Sequence, residues 1–150
     1  MRRQDRSISQ QEAMTVLQKA EYGILSIASL DGEPYGVPLN YCVLNNAIYF
    51  HSATEGKKLD VLSKNSSVSF CAIGTSKVLP DQFAMKYESV IISGKAVEVT
   101  GSEKQLALEG ILKKYSSQFL SEGLEYIKNN SASARVYKII IQSITYKARR

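Results

Sequence analysis

The segment YFHSATEGKKLD, residues 49–60, holds the chain's single histidine, His51, and an adjacent lysine pair, Lys57 and Lys58. Histidine changes charge near neutral pH, so His51 could serve as a base, a ligand or a hydrogen-bonded strand residue. No carboxylate lies close to it in sequence, so a nucleophile–histidine–acid triad cannot be assembled from spacing. The lysines are the sharper signal. They fall where a helix should begin, and a helix N-terminus already carries partial positive charge and unpaired N–H groups. An anion lodged there would neutralise both lysines and satisfy those groups, and phosphate is the natural candidate. The phosphate-binding loop GxxxxGK is excluded, because His51 stands five residues before Gly56 where that pattern needs glycine. The alternative is a solvated lysine pair on an exposed helix.

A second candidate is YGVPLNYCV, residues 35–43. Alternation puts Tyr35, Val37, Leu39, Tyr41 and Val43 on one face, with Gly36, Pro38, Asn40 and Cys42 on the other. Pro38 cannot donate to a ladder, so the strand is an edge there or carries a bulge. A small, polar, locally unpaired face lets a flat ligand approach the backbone; a turn-proximal edge strand explains the same residues.

The elements that must position these groups follow from periodicity. Ser9 and Glu12 match a capping box for a helix whose inner face is Ala13, Met14, Leu17 and Ala20. Strands are predicted over 22–29, 35–43 and 47–53, joined by turns at Asp31 and Gly32 and at Leu44, Asn45 and Asn46. Thr54 is the expected N-cap of a helix over 55–64, with Leu59 and Leu62 inward and Asn65 near its end. Strands over 67–74, 88–100 and 134–148 follow, with 77–87 irregular around Pro80. Two helices are expected between the last two strands, one over 102–115 and one over 119–128 through Leu120, Leu124 and Ile127. The runs VIIS at 90–93 and KIII at 138–141 are apolar on both faces, which in an antiparallel sheet means both faces are covered. A mainly β chain with peripheral helices results, and a small filled barrel that dimerises fits it.

Composition narrows the function. At 150 residues and 44% hydrophobic the chain suits one compact domain over 1–150. No apolar run is long enough to span a membrane and no apolar stretch follows the charged N-terminus, so a cytoplasmic protein is expected. Cys42 and Cys71 sit in strand-like segments and read as buried, reduced thiols; without a CxxC and with one histidine, no metal site is expected. Much of the net charge of +5 comes from the chain ends, and no basic face with interleaved aromatics appears, so nucleic acid is not the expected partner.

In order, MRRQDR, DGEPYGVPLNY, IYFHSATEGKKLD and ESVIISGKAVEV resemble the pyridoxamine 5′-phosphate oxidase-like split-barrel flavoproteins, most closely the branch containing the nitroimidazole-resistance (Nim) proteins. The resemblance spans nearly the whole chain. It implies a six-stranded antiparallel split β-barrel, a homodimer, and FMN in a cleft between subunits. Carried onto this sequence, Pro38, Leu39, Asn40 and Tyr41 would border the flavin ring. Phe50, His51, Ser52 and Ala53 would approach the ribityl chain and ring, and Lys57 and Lys58 would hold the phosphate. Residues 87–90 would line the same cleft, with Ser89 the polar contact. Tyr146 departs from the family, which often has glycine there. An FMN-dependent oxidoreductase acting on a small organic, nitro-aromatic compounds included, is the implied function, with His51 nearest the substrate. A flavin- or heme-binding sensor or carrier without turnover is the alternative, since a fold hosts several functions.

Overall fold

The computed structural model describes residues 2–149, with side chains from 10 to 149. Seven strands form one antiparallel sheet in the order β2-β1-β5-β6-β7-β4-β3. They are β1 (Gly23–Ala28), β2 (Pro34–Leu39), β3 (Cys42–Leu44), β4 (Ala47–Ala53), β5 (Ser67–Leu79), β6 (Ala84–Val99) and β7 (Ala134–Arg149). The helices are α1 (Arg2–Lys19), α2 (Lys57–Lys64), α3 (Gly101–Tyr115) and α4 (Leu120–Asn130). The capping expected at Ser9 lies outside the described side chains.

The strand count differs from the expected six because the stretch 35–43 is two strands. β2 pairs with β1, whereas β3 pairs with β4, and these are opposite margins of the sheet. Only Asn40 and Tyr41 separate β2 from β3, and so short a link reaches on the order of 11 Å. The sheet therefore curls until its margins nearly meet, but no ladder joins β2 to β3. That is a barrel with a split.

The corner is fastened from outside. Tyr115 at the end of α3 donates its hydroxyl to the Glu21 carbonyl at 2.5 Å and accepts from the Tyr41 amide at 3.2 Å. The Tyr41 hydroxyl donates to the Leu17 carbonyl on α1, and its ring meets Phe70 edge-on at 4.9 Å. The alternating face read from the sequence survives the corner intact: Tyr41 is buried in the main core, and Tyr35, Val37, Leu39 and Val43 pack against it.

β6 and β7 run 16 residues each and bend around the barrel at an irregularity between Ser93 and Gly94. A Cβ at Gly94 would collide with the Ile140 carbonyl, so this crossing requires glycine. The barrel interior is filled by Leu25, Ile48, Phe50, Phe70, Ile92 and Ile139, and α1 contributes Ala13, Val16, Leu17 and Ala20 to the same core. A second, smaller core forms where Ala107 of α3 packs on Cys42, Tyr49 and Val136.

Three further expectations need correction. The segment 77–87 is not irregular: β5 and β6 continue through it as a long hairpin arm, turned by Pro80 and by Phe83 at φ 50°, which is 98% exposed. Leu120 and Leu124 face outward on α4, and only Ile127 is buried. The doubly apolar strands are covered on one face only within this chain, as a single chain with few helices should leave them, with Ile91 and Ile140 49% and 46% exposed. Both cysteines are free thiols, but Cys71 is only half-buried.

Candidate functional site

The outer row of β4 explains why an apolar run ends in histidine. Ala47 and Tyr49 point outward beneath α3, Ile48 and Phe50 point into the barrel, and all four are buried. One step beyond Tyr49 on the outer row, the helical cover lifts and His51 emerges. Tyr49 marks the boundary by donating its hydroxyl to Glu103 at 2.6 Å, while Lys138 holds the same carboxylate at 2.9 Å. Burial, with Glu103 nearby, pushes the Tyr49 phenol up to about 12, so it stays protonated.

His51, Ser52 and Ala53 form one wall of a cavity of about 650 Å³, and α3, α4 and their connection form the other. Loss of hydration pulls the His51 pKa below its ordinary value, and the charge of Lys58 adds to that. The imidazole is therefore neutral at pH 7, with one nitrogen free to donate and one to accept.

The loop 54–56 then turns into α2. Thr54 is not the N-cap; Gly56 is, at φ 144° and ψ 171°, with no side-chain hydrogen bond to the helix start. That conformation suits glycine, and it leaves the first-turn N–H groups without a capping oxygen. Leu59 and Leu62 anchor the helix in the core, as periodicity indicated. Asn65 ends it, its side-chain amide donating to the Ala28 carbonyl at 2.9 Å.

The two lysines diverge. Lys57 leans outward, 3.7 Å from Glu33 and 4.9 Å from the centre of the Tyr35 ring. Lys58 turns inward, 5.7 Å from the centre of the Phe50 ring, and burial lowers its pKa. It has no carboxylate in salt-bridge reach among the described residues. A half-buried ammonium, an uncapped helix start and a neutral imidazole thus lie together.

Other expected site residues are placed differently. Pro38 and Asn40 are exposed at the β2 margin. Cys42 pairs with Tyr49, so Asn40, two residues before Cys42, lies at the same end of the sheet as His51, two residues after Tyr49. Leu39 packs against the core. Tyr41 and Phe50 are completely buried, backbone included, so neither presents a surface to a ligand in this chain. Ser89 is not brought to His51. His51 lies across β7 from Val99, through Val136, and Ser89 is ten residues away on β6, roughly 30 Å of strand. It pairs with Ile73, which borders a separate hollow of about 760 Å³ between α1 and β5. Tyr146 pairs with Val90 and packs against the core.

The sequence reading missed the wall facing His51. Leu108 and Ile111 of α3, Phe119, and Glu122 and Tyr126 of α4 stand there. Their apolar spacing was visible as helix, but nothing local says that the helix pair folds back over β4.

The sequence profile of the pyridoxamine 5′-phosphate oxidase family matches residues 9–148. The chain belongs to this family. A search of curated proteins found no match. Among solved structures, a candidate 5-nitroimidazole antibiotic resistance protein from Bacteroides thetaiotaomicron superposes with TM-score 0.72 at 24% identity, covering 91% of this chain and 81% of that one. An FAD and heme binding protein from Mycobacterium smegmatis gives 0.82 at 14% identity, over 95% and 72%. An FAD-binding protein from Mesorhizobium loti gives 0.65 at 22%, over 93% and 94%. At these identities the likeness establishes the split-barrel fold of the oxidase family. No helix among the described residues is long and apolar enough to cross a membrane.

Proposed function

We propose that this member of the oxidase family binds FMN and uses it to reduce a small organic molecule, nitro-aromatic compounds included. The observation that carries the reading is the uncapped start of α2 with Lys58 half-buried beside it, next to the neutral His51. An anion there meets first-turn N–H groups and the Lys58 ammonium, which has no salt-bridge partner among the described residues although Asp60 stands in the same turn, so the residues fit a phosphate. Lys57 contributes less, being exposed and shared with Glu33 in a surface pair of the kind worth about 0–1 kcal/mol.

Bound FMN would supply the electron chemistry. The chain's own residues would do the rest. Lys58 and the α2 amides hold the phosphate; Pro38, Asn40, His51, Ser52 and Ala53 border the ring and ribityl chain. The neutral His51 imidazole holds a proton at one nitrogen and offers it toward the cavity. The α3–α4 pair keeps bulk water from that face.

The functional unit in this reading is a homodimer with FMN between subunits. Ile91 and Ile140 leave an apolar outer face that a second copy would cover, and Ser89 lies too far from His51 to share a site within one chain. Ser89 would then serve the opposite subunit's site. Sedimentation of flavin-loaded protein should give a dimer at micromolar concentration; a monomer would refute the shared site.

The likeness to an FAD and heme binding protein and the imidazole beside an apolar cavity support a second reading, a carrier without turnover. Absorbance of the purified protein separates the two. Flavin bands, bleached by a nicotinamide donor and restored by a nitro compound, are expected; a Soret band, or a protein that will not take up FMN, would overturn the proposal. His51→Ala should lower turnover more than it lowers FMN affinity.

A further inference from the structure

The wall opposite His51 has a charge character that selects what can enter. Among the described residues lining the cavity, Glu122 is the single carboxylate, and no lysine or arginine contributes. Lys57 and Lys58 lie beyond this lining, at the α2 end. The remainder is dominated by aliphatic and aromatic surface, notably Leu108, Ile111, Phe119 and Tyr126. Glu122 has no salt-bridge partner among the described residues, so its charge is not already spoken for. Its position is fixed by its neighbour. A Cβ on Gly123 would run into the Leu112 side chain, so α4 lies tightly on α3 at this point. The volume, about 650 Å³, falls within the range of small-molecule sites, roughly 300–1,000 Å³.

From this geometry we infer that the cavity takes a flat aromatic molecule bearing an amino or other cationic group and rejects anionic aromatics, with Glu122 as the specificity-determining residue. Phe119 and Tyr126 offer aromatic surface to the ring, and the exposed Glu122 carboxylate supplies the opposite charge that a cation meets there. A phosphorylated or carboxylated aromatic would bring a second anion to a wall with no basic side chain. The family takes its name from a phosphorylated amine. In this chain the basic residues suited to phosphate stand at α2, outside the substrate wall. The inference rests on the reading of His51 as the group facing substrate.

Two probes with one ring and opposite charge test it: tryptamine and indole-3-acetate, titrated calorimetrically into the full-length protein saturated with FMN. Tryptamine should bind about fivefold tighter or more. Glu122→Gln should bring the two affinities together, and Glu122→Lys should invert the preference. Both substitutions are at an exposed position and leave the α3–α4 contact in place. Preference for indole-3-acetate, a ratio unmoved by Glu122→Gln, or no binding of either probe at millimolar concentration would overturn the inference. Flavin fluorescence, read on the same preparations before saturation, separates the two proposals. Protein that never takes up FMN but still selects tryptamine would refute the FMN reading alone; protein that binds FMN without selecting tryptamine would refute this one alone.

Discussion

Lys58 and Lys114 are both half-buried cations lying over aromatic rings, and they differ in what else surrounds them. Lys114 sits 3.7 Å from the centre of the Tyr41 ring and 5.2 Å from that of Tyr115, against the Cys42 thiol. Its Nζ is buried with no hydrogen-bond partner, and burial lowers its pKa to about 8. It lies at the fastened corner between β2 and β3, where Tyr115 already engages the Tyr41 amide and carbonyl. Lys58 is likewise over a ring, but it borders an uncapped helix start and a titratable imidazole. A cation enclosed by rings is a piece of packing; a cation beside unpaired amides is where the proposed phosphate would sit. Cation–π contact alone does not mark a site.

The largest effect expected from breaking this contrast is on FMN affinity. Each charge-assisted contact to phosphate is worth about 1.5–3 kcal/mol, so Lys57→Ala with Lys58→Ala should weaken FMN binding by roughly a hundredfold or more. Riboflavin, which lacks the phosphate, is the control: the double variant should bind FMN about as poorly as riboflavin. Lys58→Ala alone should account for most of the loss. Equal affinity in wild type and double variant, measured by flavin-fluorescence quenching at fixed salt, would return the pair to a solvated helix face.

Lys114→Met should leave FMN affinity unchanged and raise stability. A buried ammonium without a hydrogen-bond partner disfavours the folded state, and a methionine of similar reach does not. The pH sign follows from the lowered pKa. Above about 8 the folded protein releases this proton while the unfolded chain, near 10.5, keeps it, so wild-type stability gains as pH rises through 8. The cleanest window is roughly pH 8–9, because Cys42, raised by burial to about 11 from 9.0, opposes the trend at higher pH. The stability difference between Lys114→Met and wild type, from urea unfolding, should shrink across that window. A difference that stays flat with pH would show that Lys114 is not buried as a cation.

A smaller effect should appear at His51. Because it is the only histidine, its imidazole resonances can be followed by NMR without assignment. Its pKa should lie below the ordinary value and rise when FMN binds, since phosphate offsets the charge of Lys58. Lys58→Ala should produce a rise of similar sign without FMN, leaving the pKa still below ordinary because burial is the larger cause. No shift in either titration would place Lys58 away from His51. The smallest effect belongs to Glu33→Ala, which frees Lys57 from an exposed pair and should alter FMN affinity by no more than about twofold.

Where the sequence reading held, the signal was local. The inward face of Tyr35, Val37, Leu39, Tyr41 and Val43 follows from the two-residue period of extended chain, and it persists although the strand is cut in two. Leu59 and Leu62 follow from helical spacing. Where it failed, the deciding contact came from elsewhere in the chain. Asn40 and Tyr41 look extended until Tyr115, on a distant helix, fixes the corner. The arm at 77–87 looks irregular at Pro80, yet β5 and β6 pair on both sides of it. Thr54 has the chemistry of a cap, but the backbone turns at Gly56 instead.

The sequence by itself determined the mainly β class, the core-facing residues of most elements, and the placing of two lysines at a helix start just after the only histidine. These depend on side-chain period and on neighbours a few residues apart, which the chain carries wherever it goes. The tertiary structure alone decided that Lys58 rather than Lys57 turns inward over Phe50, that burial and the Lys58 charge lower the His51 pKa, and that Glu122 faces His51 across a cavity. Each of those depends on desolvation and on charges brought together by strand pairing and helix docking between distant segments. Neither hydration loss nor a distant charge leaves a periodic mark in the local sequence.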